Sequence, residues 1–425
     1  MNNRLLQYER PITAVIVAML SFAFGALASA NAELPSHQHD ALPVDEALTL
    51  TKAVDEAFAL YPTTIELAAR TAEADAWSDR GQSWLSDRPS AVLRYQTDNW
   101  GAGNGLDEYE AGILLPLWSW GGRSAVQKLG DTLSIESVAA GSALRWEVAG
   151  LLRTALWGIA LAENDHDLAE QALDTAARLT AAVERRHELG DVALGDVLLA
   201  QSAYLEAQTL VIEVTAALLD AERAYRSVTG LERRPPFTAE LLSEIHDIEQ
   251  DHPALAFANA EVSRTAASVT VAEKTVRSGT SLLIGPRSER SAFGNEFDDS
   301  FGITLSVPFG GSSHRRTEIS AAARIAANAK ARRDQHMRDL TMAAHEAAHG
   351  LTVVDQNLAA ASSRMEIAER HQAMGESAYE KGELELIDLL KVQATAIAAK
   401  RQVTRLRIDE KRQTALYNQA VGKLP

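Results

Sequence analysis

An internal duplication constrains this chain more than any local pattern does. When residues 186–230 are laid over residues 378–422 at a constant offset of 192, ten of the 45 aligned positions are identical without a gap. The same offset places Pro116 on Pro308 and Arg123 on Arg315, so one register holds across two separate segments. The sequence therefore predicts two copies of one structural unit, and such copies usually pack against each other.

The N-terminal residues have the pattern of a secretory leader. Arg4 and Arg10 precede an apolar run of 16 residues, from 12 to 27, and small residues follow it. A helix that spans a bilayer needs roughly 20 apolar residues, so an uncleaved membrane anchor is the weaker alternative. We expect a signal peptide over residues 1–32, an N-terminal tail over residues 33–46 and export of the mature chain.

Composition excludes several classes of protein. The chain has no cysteine, which rules out disulfides, thiolate metal sites and a lipidated N-terminal cysteine. The net charge of −17 argues against a nucleic-acid partner, because phosphate binding needs a basic face, and it favours cationic clients. No cofactor is predicted.

Two long segments predict helical hairpins. Proline is absent from residues 117–234 and 309–424, and both windows are rich in Ala, Leu, Glu and Arg, which favour helix. We expect hairpins over residues 124–230 and 315–422, with a first arm of about 90 Å at 1.5 Å per residue. No apolar run beyond the leader is long enough for a second membrane-spanning helix.

The return arm of the first hairpin carries two apolar stripes. The main stripe alternates steps of four and three, as the seam of a left-handed coiled coil does. Its members are Ala200, Tyr204, Ala207, Val211, Val214, Leu218, Ala221, Tyr225 and Val228. A second stripe contains Leu198, Leu205, Ile212 and Leu219. Two seams favour a helix that touches two neighbours in a closed ring of helices; one helix of an ordinary bundle core is the alternative.

Between the helices the apolar period changes from 3.6 to 2. Residues 91–99, 109–117 and 301–309 alternate apolar and polar side chains, and a weaker strand interrupted by Pro286 lies near residues 281–288. We predict strand pairs over residues 91–118 and 281–309. Their length and pattern are typical of outer-membrane barrel strands. A soluble sheet with one buried face is the alternative. Four strands cannot close a barrel, so we expect closure by oligomerisation.

The predicted organisation is a first repeat over residues 47–235 and a second over residues 236–425, each with a helix, a strand pair and a long hairpin. This order resembles the TolC-like outer-membrane efflux channel family. The most specific stretches are residues 186–201 and 379–393, which carry Gly190 with Asp196 and Gly382 with Asp388. Residues 115–123 and 307–311 resemble the family's passages from the barrel into the long helices.

The resemblance implies an architecture and a function. It implies a mainly α fold with membrane β strands, in which three protomers form a 12-stranded outer-membrane barrel continued by a 12-helix periplasmic tunnel. It implies a homotrimer in outer-membrane lipid that binds a periplasmic adaptor protein and an inner-membrane transporter, without catalysis. Such a channel conducts its substrates passively to the outside.

The resemblance also suggests site residues. Gly190 and Gly382 match the tips where the adaptor docks, and Tyr379, Asp196 and Asp388 match positions that constrict the periplasmic aperture. Three copies of Asp388 around a threefold axis would form a carboxylate ring that attracts cations. The alternative is that each aspartate is only a solvated residue on a helix surface. The chain departs from the family pattern in two places. Lys391 stands where a second acidic ring would be, and Leu384 where an Arg would tie the closed gate.

Two other motifs suggest metal chemistry. His345, Glu346 and His349 form the H-E-x-x-H pattern of zinc metallopeptidases, with Glu366 or Glu369 as a candidate third ligand. An envelope metallopeptidase is therefore the alternative function. His37 and His39 follow the leader and are weak candidates for transition-metal binding. Metal cations, small toxic compounds or exported proteins all stay open as cargo.

Overall fold

The computed structural model describes residues 41–101, 103–275, 279–309 and 312–425, with backbone alone for residues 312–315. The expected leader, most of the expected tail, and His37 and His39 lie outside the described residues. The helices are α1 Leu50–Leu60, α2 Thr64–Gln82, α3 Gly122–Glu188, α4 Leu194–Thr229, α5 Pro253–Thr275, α6 Ser312–Glu380 and α7 Leu386–Ala420. The strands are β1 Ser90–Thr97, β2 Asp107–Pro116, β3 Ser281–Arg290 and β4 Asp298–Ser306.

The two proline-free windows form the long helices. α3 has 67 residues and α6 has 69, so each is about 100 Å long at 1.5 Å per residue. α4 and α7 run back along them, and their first residues, Leu194 and Leu386, differ by the offset of the duplication. Every member of the main stripe on α4 is buried or half-buried, as a coiled-coil seam requires. None of the helices among the described residues is long and apolar enough to cross a membrane.

The helices form one layer, four helices wide, at two levels. At the level near the strands, Thr71 of α2 bonds Ser137 of α3, Arg264 of α5 pairs with Glu136 of α3, and Arg332 of α6 pairs with Glu261 of α5. The order there is α2, α3, α5, α6.

Near the hairpin turns α4 takes the place of α2, and α7 that of α5. Thr180 of α3 donates to the carbonyl oxygen of Ala200 in α4, Arg401 of α7 pairs with Asp165 of α3, and Arg364 of α6 bonds Gln402 of α7. The order becomes α4, α3, α7, α6. α2 with α4, and α5 with α7, therefore continue one another along the two full-length helices.

The four strands form one antiparallel sheet in the order β1, β2, β3, β4. β3 runs through Pro286 to Arg290, so the predicted interruption does not end the strand. The proline instead removes pairing on one side only, because it has no N–H to donate. Pro286 aligns with Phe301 of β4, whereas the pairing with β2 skips from Ile284 to Arg287.

The two repeats differ where the helices of each repeat meet. The first repeat has α1 before α2, whereas the equivalent part of the second, residues 231–252, is irregular and is held by side chains. Asn418 accepts from the N–H of Ser243, and Tyr417 donates to the carbonyl oxygen of Ile245. Residues 42–46, expected as part of a tail, pack on the body instead: Leu42 is buried and Val44 bridges to Arg234.

The predicted fold class, a duplicated unit of long coiled-coil hairpins and strand pairs, is confirmed.

Candidate functional site at the hairpin tips and on the sheet

The two hairpin tips have the same backbone geometry. Gly190 and Gly382 adopt φ angles of 84° and 76°, a left-handed conformation that favours glycine. Each glycine N–H bonds the carbonyl three residues earlier, and the next N–H bonds the carbonyl five residues earlier. These bonds satisfy carbonyls that the ending helix leaves free. A Cβ at either glycine would meet no atom within 4 Å, so the tips have open space around them.

A group of apolar side chains, here called the tip cluster, joins the two hairpins just above the turns. Its buried members are Val183, Val197, Ala200 and Leu386, with Leu179, Val192, Leu199, Tyr379 and Leu390 packed against them. α3, α4, α6 and α7 all contribute. Of the predicted aperture residues, Tyr379 is thus brought into contact with the other hairpin.

Tyr379 has one further partner across the hairpins. The guanidinium carbon of Arg186, near the end of α3, lies 5.1 Å from the centre of the tyrosine ring. The tyrosine hydroxyl is buried and has no hydrogen-bond partner. An Arg over an aromatic face is attracted by the ring quadrupole. Sequence reasoning missed Arg186, because a pair almost two hundred residues apart leaves no local signal.

Asp196 and Asp388 occupy equivalent places in the first turns of α4 and α7. Their N–H groups bond the carbonyls of Ala193 and Glu385, each at 3.1 Å. An acidic residue in a first turn also stabilises its helix through the partial positive charge there. The two carboxylates are half-exposed, and the Nζ of Lys391 lies 3.0 Å from an oxygen of Asp388. Lys391, which stands where a second acidic residue was expected, therefore pairs with the carboxylate of Asp388.

The sheet has two chemically different faces. One face carries apolar side chains that are at least half exposed: Leu93, Tyr95, Tyr109, Ile113, Phe301, Ile303 and Leu305. The other carries ion pairs, in which Arg94 contacts Glu110 and Arg287 contacts Glu108 and Glu289. Both outer strands, β1 and β4, have one unpaired edge within the described chain.

Aromatic rings mark both ends of the strands. Trp120 and Phe309, beyond the ends of β2 and β4, are 95% and 98% exposed, and Trp84 before β1 is also exposed. At the opposite end, Trp100 lies in the loop between β1 and β2, and Phe293 lies in the loop between β3 and β4. Such rings at two levels are typical of strands that cross a membrane.

In the part of the chain that the structure describes, no third metal-ligating side chain lies within reach of the histidine motif. His345, Glu346 and His349 are exposed on α6. The candidate third ligands Glu366 and Glu369 lie further along the same helix, about 30 Å away at 1.5 Å per residue. Among the described residues, the one group of three metal-capable side chains within mutual reach is His166, Asp167 and Glu170 on α3. Nothing in the geometry supports the metallopeptidase alternative.

Comparison with known proteins shows a family similarity over part of the chain and a shared fold over most of it. Residues 90–231, from β1 to the end of α4, match the family of outer membrane efflux proteins. No curated protein matches the chain by sequence.

Solved structures share the fold over most of the chain. The outer membrane protein VceC of Vibrio cholerae is 14% identical, with a TM-score of 0.71 over 88% of this chain and 97% of that chain. The CmeC outer membrane channel of Campylobacter jejuni is 14% identical, with a TM-score of 0.69 over 88% and 85%. The open state of the MtrE outer membrane channel of Neisseria gonorrhoeae is 14% identical, with a TM-score of 0.66 over 88% and 89%. The family match covers one part of the chain, and these structures share its fold over most of its length.

Proposed function

We propose that this chain, which carries an outer membrane efflux protein domain, is the outer-membrane channel of a tripartite efflux system and conducts substrates passively outward. The observation that carries the proposal is the sheet, with its exposed apolar face, its charged face and its two open edges. An exposed apolar face of this size needs a cover, and lipid is a cover that fits aromatic rings at both ends.

The open edges support a homotrimer. Lipid offers no hydrogen bonds to the free edges of β1 and β4, so these edges pair with other copies of the chain. Three copies of the four strands form the 12-stranded barrel that the family resemblance implies. The second stripe on α4 supports the same assembly. Leu198, Leu205 and Ile212 are each more than half exposed, and a helix of a neighbouring copy would cover them.

A pair of variants on adjacent residues of β4 tests this function. Ile303 lies on the apolar face and Thr304 on the charged face. Ile303→Arg should lose about 2–4 kcal/mol of membrane stability and fail to insert, whereas Thr304→Arg should insert normally. Membrane fractionation and the mass of the detergent-extracted protein are the measurements. A water-soluble monomer in the unmodified protein would overturn the proposal.

We place adaptor docking at the tip turns of Gly190 and Gly382. The two turns are exposed, lie furthest from the sheet and have open space around them. The partners would be a periplasmic adaptor protein and, through it, an inner-membrane transporter.

Bulky substitution tests the docking site. Gly190→Leu and Gly382→Leu should abolish export while the trimer still assembles. The control is Gly158→Leu, because Gly158 also has no atom within 4 Å of an added Cβ but lies about 45 Å from the tip along α3. Export by both tip variants at the control's level would remove the assignment.

We propose that Asp388 sets the ion preference of the periplasmic aperture, with Tyr379 and Asp196 beside it. Asp388→Asn should reduce cation preference and the block by divalent cations in planar-bilayer recordings. Lys391→Ala should strengthen both, since it removes the cation that pairs with Asp388. The block should weaken with salt, because charges are screened within about 10 Å at 0.1 M. Unchanged selectivity in both variants would mean that Asp388 does not line the pore.

We propose that the chain performs no catalysis. The exposed position of His345 and His349 supports this, as does the distance of their candidate third ligand. Glu346→Gln should leave efflux unchanged. Proteolysis by the purified protein that this substitution abolishes would instead establish the peptidase. For cargo, the acidic balance of the chain favours metal cations or cationic toxic compounds.

A further inference from the structure

A buried histidine joins α5 and α7 of the second repeat to α3 of the first. His252 is 2% exposed and directly precedes α5. Its ring packs edge-on against Trp146 of α3, with ring centres 5.1 Å apart. It also lies against Gly422 at the end of α7, where an added Cβ would come within 2.6 Å of the imidazole. Together His252, Trp146 and Gly422 form what we call the histidine joint.

The imidazole acts as the N-terminal cap of α5. The ring Nδ1 accepts a hydrogen bond from the N–H of Ala254 at 3.2 Å. The backbone carbonyl oxygen of His252 accepts one from the N–H of Ala256 at 2.8 Å. Acceptance at Nδ1 requires that this nitrogen carry no proton. The Nε2 atom is buried and has no hydrogen-bond partner.

Protonation would therefore disturb the joint in three ways. It would abolish the bond from Ala254, place a positive charge beside the positive end of the α5 dipole, and charge a buried ring that rests on Trp146. Burial lowers the pKa of His252 below its usual value of about 6.5. A lowered folded pKa means that the stabilisation is present above pH 6.5 and is lost as the pH falls through the folded pKa.

The charged groups around the ring leave this picture intact. Burial has the largest effect on the pKa of the ring and lowers it; the backbone of Ala420, the backbone of His252 itself and the charge of Asp251 raise it in part. The Nζ of Lys423, next to Gly422, faces the carbonyl oxygen of Leu241, and Arg145, next to Trp146, pairs with Asp55. Glu249 meets His252 through its backbone carbonyl. Glu261, further along α5, pairs with Arg332.

The first repeat has no titratable group at the matching position. At the offset of 192, His252 corresponds to Leu60 and Gly422 corresponds to Gly230. Leu60 packs on Gly230 as His252 packs on Gly422, with a nearest approach of 3.4 Å to an added Cβ. The same contact is thus made by an apolar side chain in one repeat and by an imidazole in the other.

We propose that the histidine joint is a pH-sensitive device of the second repeat, in which protonation of His252 releases the first turn of α5 from the end of α7. The equivalent contact of the first repeat, between Leu60 and Gly230, has no titratable side chain and stays intact at the same pH.

Local hydrogen exchange tests the proposal. Amides of residues 249–258 are followed at pH 7.5 and pH 5 in the unmodified protein and in His252→Asn, which keeps a cap acceptor that cannot titrate. The exchange of the unmodified protein relative to the variant should rise by up to about tenfold for each pH unit between 6.5 and the folded pKa of His252, and should level off below that folded pKa. Residues 60–66 of the first repeat serve as the internal control. The same ratio at both pH values would overturn the proposal.

A second readout covers the case in which His252→Asn folds poorly. Protonated imidazole quenches a neighbouring indole, so Trp146 fluorescence in the unmodified protein should titrate with a midpoint below 6.5. The titration should vanish in Trp146→Phe and persist in His345→Gln, which changes an exposed histidine on α6. Absence of the titration in the unmodified protein would equally refute the device.

Discussion

The two hairpin tips of this protein are alike, whereas the two regions where the helices of each repeat meet differ. At the tips, Gly190 and Gly382 have similar φ angles, and their turns make the same backbone bonds at an offset of 192. In the middle region the first repeat has the helix α1, and the second has an irregular segment held by side chains. The two repeats are therefore alike where the structure depends on local backbone geometry, and they differ where it depends on contacts between distant residues.

Single positions show the divergence most clearly. Arg153 is 1% exposed and binds Glu240 through two nitrogens, together with Gln419 and the carbonyl oxygen of Lys423. Its equivalent at the same offset is His345, which is exposed on α6. One repeat therefore uses this position to hold the irregular segment, and the other leaves it free of that role.

The largest expected difference between the repeats comes from these two residues. Arg153→Met leaves Glu240 without its charge partner and should cost about 3–5 kcal/mol, because removal of one member of a buried pair leaves an uncompensated charge. His345→Met should change the free energy of unfolding by less than about 0.5 kcal/mol, as exposed substitutions usually do. Denaturant unfolding in detergent is the measurement. Equal losses would show that the irregular segment is not held by Arg153.

A smaller difference is expected at the glycines that end α4 and α7. Gly230 and Gly422 both have positive φ, so alanine at either should cost about 1–2 kcal/mol of backbone strain. At Gly422 the new Cβ would also collide with His252, which adds about 1–3 kcal/mol of overpacking. Thermal unfolding should rank Gly422→Ala below Gly230→Ala. The opposite order would argue against the close contact of His252.

The smallest difference is expected at Tyr225 and Tyr417, which are equivalent at the offset of 192. Tyr225 donates to the carbonyl oxygen of Arg233 at 3.2 Å, and Tyr417 donates to that of Ile245 at 2.7 Å. Tyr225→Phe and Tyr417→Phe should each cost about 1 kcal/mol, the usual net value of one hydrogen bond. The two losses, measured by denaturant unfolding, should agree within about 0.5 kcal/mol. A large loss of stability in only one of the two variants would mean that the two equivalent tyrosines do not make equivalent contributions.

Burial adds a titration to this comparison. It raises the pKa of the Tyr225 hydroxyl to about 12, so this phenol stays protonated until the solution is strongly alkaline. Spectrophotometric titration of the unmodified protein against Tyr225→Phe checks the value, since the variant should lack one phenol that ionises near pH 12.

Much of the fold was predictable because it depends on short-range rules. The absence of proline over more than a hundred residues predicts long helices, and alternation over residues 91–97 predicts a strand. Glycine at residues 190 and 382 predicts the tip turns, since left-handed backbone costs glycine least. The fold resemblance, on which the proposed function rests, followed from these elements and their order.

The rest depends on contacts between residues far apart in the sequence. The ring of Tyr379 beneath Arg186, the Arg153 pair with Glu240 and the packing of His252 on Gly422 each join separate segments. The sequence places His345 within a long helix-forming run and His252 directly before Pro253, but neither pattern shows that His345 is exposed and His252 is buried.

The sequence by itself determined the duplicated unit, the long hairpins, the strand pattern and the turns, because each depends on backbone preferences over a few residues. The tertiary structure alone decided which equivalent positions became buried. Burial is a property of the whole packed chain, and it is burial that turns a charge, a glycine or an imidazole into a structural or titrating element.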